Sequence, residues 1–345
     1  MQEKGLFGIL LRCSIVHKND ITAFRSVLGK CPFLGIDKLC TIQKKHGTAY
    51  MPLVCIQFPR QLYNLDFFCE ETLYLACPEA ARLFLSYAQQ GKPFDFTEIQ
   101  GTVDYPVNTT NDDEQFLYHL IEDRAQLIQL LHEGIPYDSM EILLYGQQAQ
   151  NACLHQSSLP RPIEVVKHHS ATMSKSFSGV EQTDKQNRFF MDFTVLDTLF
   201  FNGFYHPSLQ TTLPFLYKLC RRYLREFGTF SRFSSKTANQ KLILLQEHLF
   251  DLVPDLGIIL NRYYEYYLLT NFLDIFEDYS FSKHLLFGIA KTNMLCLFFA
   301  LYAKHKKSLS VEELSKIMAV YERRAPQLED ALKLLSIPSC DLIEH

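Results

Sequence analysis

The feature that most constrains the fold is a succession of helical patterns that fills the second half of the chain. From Phe189 onward one helical segment follows another, and the period-two alternation of strands is almost absent. Helices are predicted over the ranges 189–204, 212–228, 238–251, 256–277, 281–305, 310–324 and 326–336. Ser310 and Glu313 have the spacing of a capping box at the start of one of them. The sequence therefore predicts a mainly α protein.

The region before residue 189 is less regular. Apolar residues recur at three- and four-residue spacing from Leu117 to Leu131, which predicts a helix that ends at Gly134. Asp138 with Glu141 resembles the capping pair of a short helix ending at Gly146, and residues 147–187 are polar enough to predict a long loop or lid. Further upstream, the segment "PEAARLFLSYA" from Pro78 predicts a helix, since proline suits a first helical turn.

Cysteine and proline are concentrated in the first part of the chain. Cys13, Cys31, Cys40, Cys55, Cys69 and Cys77 lie there, out of 10 cysteines in all. We interpret residues 1–95 as a cysteine-rich, metal-binding segment and residues 96–115 as a linker. Residues 116–345 then form a multi-helix domain with the polar loop near 147–187.

Charge and composition disfavour several function classes. A net charge of −4 gives no global reason to expect nucleic acid or an anionic membrane as partner. The 14 glycines form neither a Walker A pattern nor G-x-G-x-x-G. The apolar stretch 285–303 carries Lys291, Thr292 and Asn293 at its centre, which favours a buried core helix over a membrane span. We therefore expect a soluble, cytoplasmic protein with reduced thiols.

The cysteine spacing leaves two interpretations open. In "GKCPFLGIDKLCTIQKKHGTAYMPLVCIQFPRQL" (29–62) the intervals are C-x8-C-x14-C, followed later by Cys69 and Cys77, and no C-x-x-C occurs. Thiolates suit zinc or iron–sulfur chemistry. Buried, inert core thiols would give the same spacing.

The words around these cysteines resemble a known family. The stretch "GKCPFLGIDKLCTIQKKHGTAYMPLVCIQFPRQLYNLDFFCEETLYLACPEAAR" resembles the core of the flagellin lysine-N-methylase family, with its CPFL, LC-x-IQ, C-x-x-FPR and CPEAAR words in the same order. Cys31, Cys40, Cys55 and Cys77 fall on the family cysteines, whereas Cys69 is off the pattern and is interpreted as a core thiol. The helical tail also resembles the family's C-terminal half.

The resemblance implies an activity and its requirements. It implies transfer of a methyl group from S-adenosylmethionine to surface lysines of flagellin, with flagellin as the protein partner. It also implies an iron–sulfur cluster or another chelated metal held by Cys31, Cys40, Cys55 and Cys77. The residues themselves single out neither a catalytic group nor a methyl-donor site.

Two alternatives follow from a departure from the family pattern. Family members usually carry a dense cysteine cluster upstream of the words quoted above, and only Cys13 precedes Cys31 here. The chain therefore also fits a catalytically inactive, truncated member that acts as a helical flagellin-binding or other protein-interaction module. A structural helical protein with incidental thiols is the third hypothesis.

Several further residues are weaker candidates. Arg60 could hold a carboxylate of the methyl donor, form a surface ion pair or make a turn-stabilising contact. Cys153-x-His155 and His168-His169 could chelate a metal or be solvated. A basic helical face could meet an acidic partner or stay solvated; it consists of Lys218, Arg221, Arg222 and Arg225. A group of tyrosines follows on a later helix: Tyr263, Tyr264, Tyr266 and Tyr267. We expect the first and last of these tyrosines to pack and the other two to form hydrogen bonds or line a groove.

Overall fold

The computed structural model describes residues 9, 13–18, 21–24, 31–37, 39–65, 69–91, 94, 97, 113–155, 193–228, 235–326 and 328. Helices dominate these residues, which confirms the mainly α class. Within these ranges the strands form two short antiparallel hairpins.

Short elements occupy the first part of the chain, where proline interrupts the apolar runs. In order they are β1 (Ile15–Lys18), β2 (Ile21–Phe24), α1 (Thr41–His46), α2 (Leu53–Gln57), β3 (Arg60–Asn64), β4 (Cys69–Leu73) and α3 (Pro78–Ala88). Strand β1 pairs with β2 and β3 pairs with β4. Helix α3 begins at Pro78 as predicted.

Longer helices make up the rest of the described chain. They are α4 (Glu114–His132), α5 (Met140–His155), α6 (Phe193–Leu199), α7 (Leu209–Thr212), α8 (Pro214–Phe227), α9 (Ser235–Leu252), α10 (Leu256–Asn271), α11 (Ile275–Asp278), α12 (Phe281–Ala303) and α13 (Val311–Glu322). A π-helical turn (Phe200–Phe204) follows α6, and a 3₁₀ turn (Phe272–Asp274) joins α10 to α11. The predicted capping box at the start of α13 is confirmed, with both of its hydrogen bonds formed.

Helix α12 is the central helix of the fold. It packs against α5, α8, α9, α10 and α13. By length and composition it could cross a membrane, but 89% of its most apolar stretch is buried inside the protein. Among the described residues, no other helix is long and apolar enough to cross a membrane. The prediction of a core helix is therefore confirmed.

The polar residues at the centre of α12 find partners inside the protein. The Thr292 hydroxyl donates to the carbonyl of Gly288 at 2.8 Å, and the Asn293 side-chain oxygen accepts from the Tyr137 hydroxyl at 2.6 Å. The Lys291 ammonium lies 5.4 Å from the centroid of the Tyr267 ring. These contacts offset most of the cost of burying polar groups, although the Asn293 side-chain nitrogen has no hydrogen-bond partner among the described residues.

Glycine allows two helices to approach α12 closely. A Cβ atom at Gly288 would lie 2.4 Å from Cδ1 of Tyr267 and 2.5 Å from Cε2 of Tyr264, both on α10. A Cβ atom at Gly146 on α5 would lie 2.8 Å from Cδ1 of Leu285. The two glycines therefore set the distances between α12 and its neighbours.

The region after residue 138 corrects the sequence predictions. Helix α5 begins at Met140, so Ser139 rather than Asp138 precedes it, and the helix continues past Gly146 to His155. Gly146 provides a close helix contact instead of a helix end, and this function has no signature in the local sequence. The predicted loop 147–187 is thus wrong over residues 147–155, and its remainder lies outside the described residues.

The end of the predicted cysteine-rich segment is built into the helical core. Helix α3 packs on α13 and α10. The Tyr74 hydroxyl donates to the carbonyl of Glu322 at 2.9 Å, and Arg323 Nε donates to the carbonyl of Ala76 at 3.2 Å. Most of the predicted linker 96–115 lies outside the described residues.

A buried ion pair fastens the second hairpin to the helices. Arg124 on α4 donates through Nη1 to Glu70 Oε2 at 2.8 Å and through Nη2 to Oε1, and their side chains are only 5% and 7% exposed. Arg124 also donates to the carbonyl of Leu269 at 3.3 Å. Separating the two side chains would leave a buried charge unpaired, which is energetically costly. The ion pair therefore holds β4 and α4 together.

The close contact at Gly288 leads to a stability prediction. We expect Gly288→Ala to lower the free energy of unfolding by about 1–3 kcal/mol, because the methyl group must displace two buried tyrosine rings. Urea unfolding followed by circular dichroism measures the change.

Gly257 provides the matched control for this prediction. It also lies in a helix, but a Cβ atom there would meet no atom within 4 Å. Gly257→Ala should be neutral or stabilising by up to about 1 kcal/mol, through helix propensity alone. Equal effects of the two substitutions would contradict the close-contact explanation.

Candidate functional site

A cleft of about 270 Å³ lies where α10 ends and α12 begins. Aromatic rings, an amide, carboxylates and basic groups line it: Tyr267, Asn271, Asp274, Glu277, Asp278, Lys283, His284 and Phe287. Carboxylates outnumber basic groups in this set, which we call the acidic cleft.

The turn between α11 and α12 shapes one wall of the cleft. Tyr279 ends α11 with a φ of 54°, in the left-handed region that non-glycine residues rarely adopt. Its ring stacks on Phe116 of α4, with centroids 4.9 Å apart. The backbone N–H of Ser280 donates to Asp278 Oδ1 at 3.0 Å and closes the turn. The carboxylate of Asp278 is thereby held beside the first turn of α12.

Asp278 is a fixed negative charge in the cleft. Its two oxygens lie 3.0 and 3.1 Å from His284 Nε2, and Lys283 donates to it as well. Burial by itself would raise the pKa of Asp278, but the hydrogen bonds from His284 and Lys283 outweigh it and hold the pKa well below its usual range.

The pKa of Asp274 is shifted in the opposite direction from that of Asp278. Burial raises the pKa of its carboxyl group, although hydrogen bonds from Tyr63 and Asn271 and the charge of His284 oppose that rise. Burial and the neighbouring Asp274 also raise the pKa of Tyr63, so this hydroxyl keeps its proton. A carboxylate with a raised pKa accepts a proton more readily than an ordinary one. The cleft therefore combines a fixed charge with a carboxylate suited to take up a proton.

The raised pKa of Asp274 leads to a pH prediction. Because its folded-state pKa exceeds the unfolded value of about 3.9, the ionised form costs stability as the pH rises above that value. We expect Asp274→Asn to increase the free energy of unfolding at pH 7, and to have no such effect at about pH 3. Urea unfolding at both pH values measures the difference.

Asp278→Asn is the control with the opposite sign. The pKa of Asp278 is lowered, so its ionised form adds stability above the unfolded pKa and loses that contribution as the pH falls through the folded value. This substitution should destabilise the protein at neutral pH, and the loss should shrink on acidification. A destabilising effect of Asp274→Asn at pH 7 that persists in acid would contradict the proposed cost of its charge.

The thiols that the resemblance singles out lie in the short N-terminal elements. Cys31 and Cys55 are exposed and Cys40 is half-buried. The backbone N–H and the hydroxyl of Thr41 donate to the carbonyl of Phe33 at 2.8 and 3.0 Å, which closes the loop between the first two cysteines. Partial burial raises the pKa of Cys55, and the nearby thiols of Cys31 and Cys40 raise it further. The Cys55 thiol is therefore within electrostatic reach of both Cys31 and Cys40.

Cys77 is placed differently. It occupies the N-cap position of α3 without a side-chain capping bond and packs, half-buried, against the helical core. Among the described residues, no three His, Cys, Asp or Glu side chains form a group that could hold a metal ion. The donor chemistry suits a soft metal, but the described residues do not bring these thiols together into one ligand group. The metal site of Cys31, Cys40, Cys55 and Cys77 stays a prediction.

Other sequence candidates are now located. Arg60 Nε lies 3.2 Å from Glu71 Oε1 across the β3–β4 hairpin, and both side chains are mostly exposed, which favours the surface ion pair. Cys69 is half-buried on β4. Cys153 and His155 lie on α5, but their side chains, like residues 168 and 169, are outside the described part of the chain.

The tyrosine group of α10 divides as follows. Tyr263 and Tyr264 are fully buried, and Tyr263 donates to the carboxylate of Glu322. The Tyr266 hydroxyl donates to the carbonyl of Leu73 at 3.1 Å, which fastens β4 to α10. Tyr267 lines the acidic cleft, although only 3% of its surface is exposed.

The acidic cleft is not among the sites predicted from the sequence. A signal was present, because acidic and basic residues interrupt the apolar pattern within the short stretch "DIFEDYSFSKH" (274–284). The local sequence gives no indication that Tyr63 bonds to Asp274, because Tyr63 lies on the distant β3–β4 hairpin.

Comparison with known proteins links part of the chain to one family. A 78-residue stretch is 36% identical to the flagellar biosynthetic protein FliU of Salmonella muenchen and, likewise over 78 residues and at 36% identity, to lysine-N-methylases of Salmonella typhimurium and Salmonella choleraesuis. The resemblance to the lysine-N-methylase family is confirmed over this stretch. No family model and no solved structure matches the chain.

The similarity is partial on both sides. It covers 23% of this chain, 46% of the FliU protein and 19% of each lysine-N-methylase. The chain thus matches less than half the length of these curated relatives.

Proposed function

We propose that the protein methylates lysine side chains of flagellin with S-adenosylmethionine as the methyl donor, and that the acidic cleft receives the acceptor lysine. The observation that carries this proposal is the similarity to proteins named lysine-N-methylase, together with one named for flagellar biosynthesis. The cleft adds chemistry that such a reaction requires.

The cleft has the size and lining for one lysine side chain. Its volume is about 270 Å³, whereas sites for drug-sized ligands begin at about 300 Å³, so the cleft suits a smaller group such as one side chain. Tyr267 and Phe287 line the cleft beside the carboxylates, although Lys291 and Lys283 lie over their rings. The carboxylates of Asp274, Glu277 and Asp278 would attract the ammonium group of the acceptor lysine.

Methyl transfer requires a neutral amine, and Asp274 is suited to provide it. The donor supplies a methyl group on a sulfonium sulfur. The Asp274 carboxylate would take a proton from the lysine ammonium. The nitrogen lone pair could then form the new N–C bond as the C–S bond breaks, and the demethylated donor would leave as a neutral thioether. Tyr63, whose pKa is raised by burial, would hold the carboxylate in position through its hydrogen bond.

The test is the intact mass of flagellin after incubation with the protein and S-adenosylmethionine under anaerobic, reducing conditions. We expect methyl-sized increments, with a rate that falls by about 10²–10⁴ in Asp274→Ala, the range typical for loss of a general base. Asp251→Ala, which removes an exposed carboxylate on α9, is the matched control and should leave the rate unchanged.

Two outcomes would contradict parts of this proposal. An unchanged flagellin mass combined with measurable flagellin binding would favour the inactive, protein-binding alternative. Methylation that is insensitive to Asp274→Ala would retain the activity and remove the acidic cleft from it.

We also propose that the thiols of Cys31, Cys40 and Cys55 hold a metal or an iron–sulfur cluster, with Cys77 as the fourth ligand. The cysteine words of the family resemblance support this, as does the influence of Cys31 and Cys40 on the pKa of Cys55. After anaerobic reconstitution, we expect Cys55→Ser to lose most of the bound iron, whereas Cys69→Ser, off the cysteine pattern, should keep it. Iron content and visible absorbance are the readouts, and equal iron in both variants would contradict the ligand set.

A further inference from the structure

A basic surface lies at the opposite end of α12 from the acidic cleft. It is formed by α8, the C-terminal end of α12 and the start of α13, which pack together. Tyr302 at this end follows His284 in the cleft by 18 residues of helix, or about 27 Å along its axis. The two surfaces are therefore separate.

Cations surround a pair of aromatic rings at the centre of this surface. The ring centroids of Phe215 and Tyr302 are 6.0 Å apart. The Arg222 guanidinium lies 5.1 Å and the Lys306 ammonium 5.0 Å from the Tyr302 centroid. The Lys316 ammonium lies 4.6 Å from the Phe215 centroid. We call these five residues the basic–aromatic patch.

Hydrogen bonds hold the patch in a defined arrangement. Arg222 Nη1 donates to the carbonyls of Leu301 and Tyr302 at 3.3 and 3.1 Å, at the C-terminus of α12. Glu313 Oε1 accepts from the Tyr302 hydroxyl at 2.8 Å and from Lys306 Nζ at 2.7 Å. A ligand would meet charges that are already positioned, which lowers the entropy cost of binding.

The positive charge extends from the patch along α8. Lys218, Arg221 and Arg225 are exposed and follow one another at three- and four-residue spacing, so they share one helix face. No ion pair among the described residues involves them. The nearby carboxylates of Glu226 and Glu313 are paired with Lys304 and Lys306. Although the exposed Glu312 also lies at the start of α13, a chain with a net charge of −4 thus carries a local excess of positive charge on this surface.

We propose that the basic–aromatic patch and the exposed face of α8 form a docking site for an acidic protein segment. Charge complementarity selects an anionic partner, and the arginine guanidinium groups suit the paired oxygens of carboxylates. Single-stranded nucleic acid is disfavoured, because its bases would stack on free ring faces and the patch's own cations already lie over both rings.

The test is the binding of a fluorescein-labelled decaglutamate peptide to the full chain, followed by fluorescence anisotropy at several salt concentrations. We expect Arg221→Glu with Arg225→Glu to weaken binding at least about tenfold at low salt. The control pair Lys45→Glu with Lys236→Glu changes the net charge equally on exposed residues outside the patch and should change affinity by less than about twofold. Circular dichroism checks that each variant is folded.

A second variant and a second probe make the result decisive. Arg221→Gln with Arg225→Gln, a milder change, should weaken binding by about threefold and replaces the charge-reversed pair if that pair does not fold. Equal losses in the patch and control pairs, or no binding by the wild type, would overturn the proposal. Tighter binding of an oligothymidylate that is lost in the same patch variants would overturn it in favour of nucleic acid.

Discussion

The burial of α12 is the constraint on which the rest of the structure depends. A helix that is apolar on nearly every side must be shielded from water on every side, and five other helices pack around it. The missing side chain at Gly288 allows α10 to come close enough for Tyr264 and Tyr267 to pack on it. Interiors packed at this density do not tolerate added volume, so the position of α10 is tightly determined.

The second hairpin connects the cysteine-bearing elements to this core. The buried pair of Glu70 and Arg124 fastens β4 to α4, and the bond from Tyr266 to Leu73 fastens it to α10. Through the same hairpin Tyr63 reaches Asp274 in the acidic cleft. The N-terminal part of the chain therefore contributes directly to the electrostatics of a cleft formed by the C-terminal helices.

The two charged surfaces match the polarity of α12. Acidic groups such as Asp274 and Asp278 lie near its N-terminus, where the helix dipole favours negative charge. Arg222 donates to carbonyls at its C-terminus, where the dipole favours positive charge. A protein with a modest net charge thereby presents an acidic cleft and a basic patch at opposite ends of one helix.

The sequence by itself determined the mainly α class, the position of α12 in the core and the capping box of Ser310 and Glu313, because helical periodicity and caps depend on neighbouring residues. The family resemblance also came from contiguous words. Only the tertiary structure decided that Gly146 is a packing contact and not a helix end, and that Tyr63 meets Asp274. Both depend on the approach of residues far apart in the chain, which no local pattern records.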